Sequence, residues 1–184
     1  IESLQLLDKA FFDSLSIQDY GQAAECLCAQ FLTYRHLSEV NPTYLILAES
    51  SINNAVQISK LSNSPSDSVL PYFNLGKLKL LQNKLGEAQD AYQKAIELFQ
   101  SNPPEEHNRP AVLIDFKIHY QVARLLSGEM DAVNAIQQLI SQLESLDETK
   151  FNKDIWISGA HMRIAEALMS TNPDLAKVHL NKAK

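Results

Sequence analysis

Glycine is scarce in this chain of 184 residues, with five in all, under half the average usage of about 7%. So few glycines cannot punctuate the many tight turns of an all-β sandwich, and they supply no glycine-rich phosphate loop for a doubly wound sheet. Net basic charge is missing too. The 16 Lys and Arg against 22 Asp and Glu leave −6, so no global field draws nucleic acid or an anionic membrane, and neither is expected as a partner. Long apolar runs are missing as well: the longest, such as Tyr44-Leu45-Ile46-Leu47-Ala48, fall far short of the ~20 residues of a membrane span. No charged-then-apolar leader stands at Ile1, which reads as a segment cut from a longer chain that continues in both directions. Cysteine is limited to Cys26 and Cys28. In a helical stretch their side chains diverge to well-separated faces and cannot pair. Both are expected as small buried hydrophobes in a reducing compartment, which points to the cytoplasm, with the nucleus left open.

What is present is helical periodicity between regular breaks. The spacing predicts helices near 2–15 (Leu4, Leu7, Phe11 and Leu15 on one face), 19–37 (Ala23, Leu27, Phe31, Tyr34) and 42–61. Asn41 is the expected N-cap of the third, with Pro42 at its first position. Residues 62–67, Ser-Asn-Ser-Pro-Ser-Asp, read as a loop. Further helices follow near 68–83, 86–100, 109–126, 130–146 and 151–169, and a last one opens at Asn172-Pro173. About nine helices with short connections, and no strand-like alternation of useful length, make the fold class all-α.

A repeat lies inside this pattern. Gly76 and Ala88 stand twelve apart, and Ala88, Tyr92 and Ala95 give a small-large-small series. Small residues let two antiparallel helices approach, and the aromatic fills the gap to the next pair. With Tyr72-Phe73-Asn74-Leu75-Gly76 before it and Gly86-Glu87-Ala88 through Ala95-Ile96-Glu97-Leu98 after it, the segment 69–103 resembles the motif of the tetratricopeptide repeat family, about 34 residues long. Lys79 departs from it where the family prefers a large aromatic, and the terminal proline is delayed to Pro103. Over 109–146 the spacing returns as Ala123 to Ala135 with Leu139, but Gln142 breaks it; a competing register uses Ala132, Ile136 and Leu139, and both stay open. Over 151–184, Ile164-Ala165 leads to Ala176, Leu180 and Ala183. Residues 1–62 hold a degenerate pair, with Ala48, Ile52 and Ala55 on its second helix, preceded by one extra helix. The resemblance implies one domain over 1–184, a right-handed superhelical stack of antiparallel helix pairs of the α-solenoid kind.

Candidate chemistry is thin. His-x3-His, His-Glu-x2-His and cysteine-with-histidine spacings are absent, so no metal ligands are assigned. His119 and His161 fall where the repeat places bulky residues between its helices, and they read as packed or surface imidazoles rather than ligands. No Gly-x-Ser-x-Gly elbow exists. No catalytic residue and no cofactor are assigned, and the chain is not expected to be an enzyme. The series Trp156, Ala160, Ile164, Leu168 and the series Leu75, Leu78, Leu81, Leu85 read as core.

Binding has positional content through the resemblance, which implies ligands along the concave face made by the first helix of each pair. By position that face offers Phe73, Asn74, Lys77 and Leu80, then Lys117, Tyr120, Gln121 and Arg124, then Met162, Arg163 and Glu166. Tyr120 and Arg124 are the expected anchors, since Tyr and Arg carry much interface energy. The family's clamp for paired carboxylates wants Lys-x3-Asn, and Phe73-x3-Lys77 stands in its place, so that ligand is excluded. The expected function is a non-enzymatic scaffold or adaptor that takes a partner protein, as peptide or helix, in the groove. Two alternatives stay open: a sensor domain for a small peptide or ligand, and a structural subunit of a large assembly. Apolar residues on the first and last helices also predict weak self-association through the array ends.

Overall fold

Each break in the periodicity becomes a helix boundary in the computed structural model of the protein, which describes residues 2–105 and 108–184. Among them lie nine α-helices and no strand, and the chain divides into two compact units, 1–106 and 107–184.

The first unit holds α1 (Glu2–Ser16), α2 (Tyr20–Ser38), α3 (Tyr44–Ser59), a 3₁₀ turn (Pro65–Ser68), α4 (Val69–Leu81) and α5 (Leu85–Ser101). Short connections make α2/α3 and α4/α5 antiparallel hairpins, and α4 packs on both helices of the preceding pair. Asp19 caps α2, its carboxylate accepting from the Gln22 backbone N–H at 3.0 Å. Asn41 opens α3 differently from expectation. Its side-chain oxygen accepts from the Thr43 N–H at 3.1 Å, and a tight i to i+3 turn delays the α-helix proper to Tyr44. The α4–α5 turn is short because Asn83 adopts φ 56°, a left-handed conformation that Asn tolerates better than most residues. Residues 62–67 are not all loop: the 3₁₀ turn is held by Ser59 and Ser68, whose buried hydroxyls lie 2.9 Å apart.

The repeat motif explains how α4 meets α5. A Cβ at Gly76 would sit 2.5 Å from Tyr92 Cε1, so the missing side chain is what admits the ring. The nearest atoms to Gly76 belong to Tyr92, one turn along from Ala88; Ala88, Tyr92 and Ala95 are fully buried. The degenerate pair obeys the same rule, with Ala48, Ile52 and Ala55 inside, clustered with Leu27, Phe31 and Leu78. The leucine series behaves less simply: Leu78 is buried, but Leu81 is 49% exposed. Steps of three residues drift by about 60° around a helix, so such a series cannot stay on one face.

The second unit repeats the arrangement with α6 (Pro110–Leu126), α7 (Asp131–Ser145), α8 (Lys150–Leu168) and α9 (Pro173–Lys182). Here α6/α7 and α8/α9 are the hairpins, and α8 packs on both α6 and α7. Gly128, at φ 94°, makes the turn between α6 and α7. Thr149 caps α8, and Asn172 caps α9 ahead of Pro173, accepting from the Leu175 N–H at 3.2 Å. Between the two registers on α7, the inward one is Ala132, Ile136 and Leu139; Ala135 is half-buried and Gln142 exposed. On α9 the inward large residue is His179 rather than Leu180, which is 37% exposed. The imidazole takes the interior because it finds a polar partner there.

Candidate functional site

The side chains assigned to a binding face divide into three groups by what they touch. Phe73 and Asn74, on α4, are buried. The Phe73 ring packs on Tyr92 with centroids 5.6 Å apart, and Lys77 Nζ lies over the Phe73 ring, 4.3 Å from its centroid. Asn74 hydrogen-bonds the Cys28 thiol. Burial pushes that thiol up to about 12, with Asn74 opposing the rise, so Cys28 is an inert packed group. Cys26 and Cys28 are both buried and unbridged.

Arg124, at the end of α6, is engaged within its own unit. Its guanidinium donates to Glu129 at 2.6 and 2.9 Å, to Asp131 at 3.1 Å and to Gln121 at 2.9 Å. The Glu129 carboxylate, followed by Asp131, holds the guanidinium pKa above its usual value. This network ties the last turn of α6 to the start of α7. Arg124, an expected anchor for a partner, is therefore already paired within its own unit.

Lys117, Tyr120 and Gln121 are half-buried on the same side of α6, and Met162 and Arg163 lie on α8, which packs against α6. The Arg163 guanidinium folds back over Gly159, coming within 3.0 Å of the position a Cβ would take there. Met162 is 42% exposed and has exposed apolar company on α8: Phe151 at 73%, Ile155 at 53% and, at the C-cap, Met169 at 53%. At 3.6 residues per turn these four positions fall within roughly 40° of one another, one straight stripe along the helix. The opposite side of α8 carries Ala160, Ile164 and Leu168, all buried in the core of the unit.

Phe151, Ile155 and Met169 escaped the sequence reading. The signal was there as Phe-x3-Ile-x6-Met-x6-Met, but a helix with two apolar stripes does not announce which one is buried. Apolar side chains are also exposed on α1 (Leu6, Phe12) and α9 (Val178, Leu180).

His119 is buried, with Nδ1 2.9 Å from the Asp115 carbonyl oxygen and 3.5 Å from its carboxylate. His161 is buried as well, so of the packed and surface readings the packed one holds for both. Among the described residues no group of three or more His, Cys, Asp or Glu side chains is placed to hold a metal ion, and no helix is long and apolar enough to cross a membrane. A polar cleft of about 460 Å³ in the first unit is lined by Gln18, Asp19, Tyr20 and Gly21 on one side and by residues 61–65 on the other. Comparison with protein-family models, with curated proteins and with solved structures returns no match for the chain.

Proposed function

We propose that this chain is a helical-repeat protein of the tetratricopeptide kind, without enzymatic activity, that binds a partner protein along the exposed sides of α6 and α8. The observation that carries the reading is the stripe Phe151, Ile155, Met162 and Met169, four large apolar side chains left 42–73% exposed on a helix whose other side is already in the core. Large apolar side chains left exposed in line along one helix side mark a candidate interaction site. A peptide or helix with its own apolar ridge would bury it, and Lys117, Tyr120, Gln121 and Arg163 supply polar and cationic contacts at the rim. Arg124 acts indirectly by fixing the α6–α7 turn. Taken by itself, the first unit offers a cationic contact of the same kind at Lys77, with Phe73 and Asn74 buried beneath it. Packed hairpins hold these side chains in place before the partner arrives, so little ordering entropy is lost on binding.

The test is affinity capture from the source cell with the wild-type protein and with Ile155→Asp/Met162→Asp side by side. Both replaced side chains are exposed, so helicity should be unchanged. A partner retained by the wild type should be lost or weakened by at least about 2 kcal/mol, roughly thirtyfold in Kd. A partner bound equally by both proteins would move the site off α8.

A further inference from the structure

In the α8/α9 hairpin two imidazoles face each other directly. His161 Nδ1 and His179 Nδ1 are 3.0 Å apart, the ring centroids 5.1 Å, and the two residues are 7% and 1% exposed. A nitrogen-to-nitrogen bond of this kind needs one proton between the two atoms, so one ring donates from Nδ1 and the other, protonated at Nε2, accepts. Little else fastens α9. Its buried residues are Ala176 and His179, with Leu175 half-buried, while Val178 and Leu180 face outward.

We propose that His161 and His179 form an acid-sensitive latch: the bond between the neutral rings holds α9 on α8, and proton uptake by both rings releases α9 while α6, α7 and α8 stay folded.

A first proton can enter at the outer nitrogen of the donating ring and leave the bond intact, at the cost of a buried cation. A second proton has to enter at the accepting Nδ1. The bond then breaks, and two N–H groups on two cations face each other. Burial and Lys182, on the last turn of α9, disfavour the cationic form of both rings, and the charge of His179 disfavours it further at His161; among the described residues no carboxylate of α6, α7, α8 or α9 offsets them. His119 provides the internal contrast, buried but beside the Asp115 carboxylate. Because the folded pKa values of His161 and His179 lie below the unfolded one, their contribution to stability is complete above the unfolded value and is lost as pH falls through it toward the folded values.

Amide hydrogen exchange of the full chain, corrected for the intrinsic pH dependence and followed from about pH 7.5 to 5, reads the latch directly. Protection across 173–182 should fall roughly tenfold or more over this range, in step with the ring-proton shifts of His161 and His179, while protection of α6 and α7 persists. A second protein, His161→Asn/His179→Phe, removes both titrating groups, and any α9 protection it has at neutral pH should persist at acid pH. Protection of α9 in the wild type that is independent of pH while the rings titrate would overturn the proposal. So would loss of α6, α7 and α9 protection together, or an acid response retained by the double variant.

Discussion

Replacing Gly76 by alanine sets two well-understood effects against each other at one atom. In a helix interior the change gains up to about 1 kcal/mol from backbone propensity. Here the added methyl would lie 2.5, 2.6 and 2.8 Å from Cε1, Cδ1 and Cζ of Tyr92. The ring has no open space to enter, since Tyr92 is 0% exposed and Phe73 packs on it with centroids 5.6 Å apart. Overpacking of this sort costs roughly 1–3 kcal/mol, and three ring atoms inside contact distance argue for the upper part of that range. The expected net result is a loss of about 1–2 kcal/mol. Gly86→Ala is the matched control, because a Cβ there meets nothing within 4 Å; it should gain several tenths of a kcal/mol. Urea denaturation followed by circular dichroism measures both, with the midpoint moving in opposite directions and the slope unchanged. Tyr92→Leu should relieve the Gly76→Ala penalty, giving a coupling above about 0.5 kcal/mol in a double-mutant cycle. A Gly76→Ala protein as stable as wild type, or shifted like Gly86→Ala, would refute the close approach on which the repeat motif rests.

Three further outcomes are expected. Gly128→Ala should destabilise the second unit by roughly 1 kcal/mol, because alanine is strained at the φ of 94° that the α6–α7 turn uses; hydrogen exchange of α6 and α7 would show it. Arg124→Ala should cost no more than about 1 kcal/mol, with an effect that shrinks at high salt, since the partly exposed network with Glu129 and Asp131 is screened. Cys26 and Cys28, both buried, should resist an aromatic disulfide reagent in the native protein and react together once it is unfolded.

Much of the fold was legible in the sequence because its punctuation is chemically explicit. Asn172-Pro173, Asn83 and Gly128 each mark a boundary with a side chain whose geometry suits the break. The pairing of α4 with α5 was legible from the twelve-residue spacing of Gly76 and Ala88, but the atoms nearest Gly76 belong to Tyr92, the ring expected against the next pair. The register of α7 was not, since Ala132 and Ala135 are equally small and only tertiary packing selects the first. On α9 hydrophobicity favoured Leu180 over His179, yet the bond to His161 reverses the order, and no pattern along one helix shows a partner on another. The candidate surface was half legible. Met162 and Arg124 came from repeat position, but the pairing of Arg124 with Glu129 and Asp131 was not legible, because they reach it only once Gly128 turns the chain back. Phe151 and Ile155 became visible as surface only when Ala160 and Ile164 had filled the core.

Methionine offers the most direct test of the account, because the chain has three and the structure separates them. Met162 and Met169 lie on the α8 stripe, while Met130 stands at the start of α7, and all three are exposed by 42–53%. With ¹³C-methyl methionine labelling, the three signals can be followed as the captured partner is titrated in. The account predicts that Met162 and Met169 shift and broaden together while Met130 stays in place. A response confined to Met130, or no methionine response while the partner binds, would contradict it.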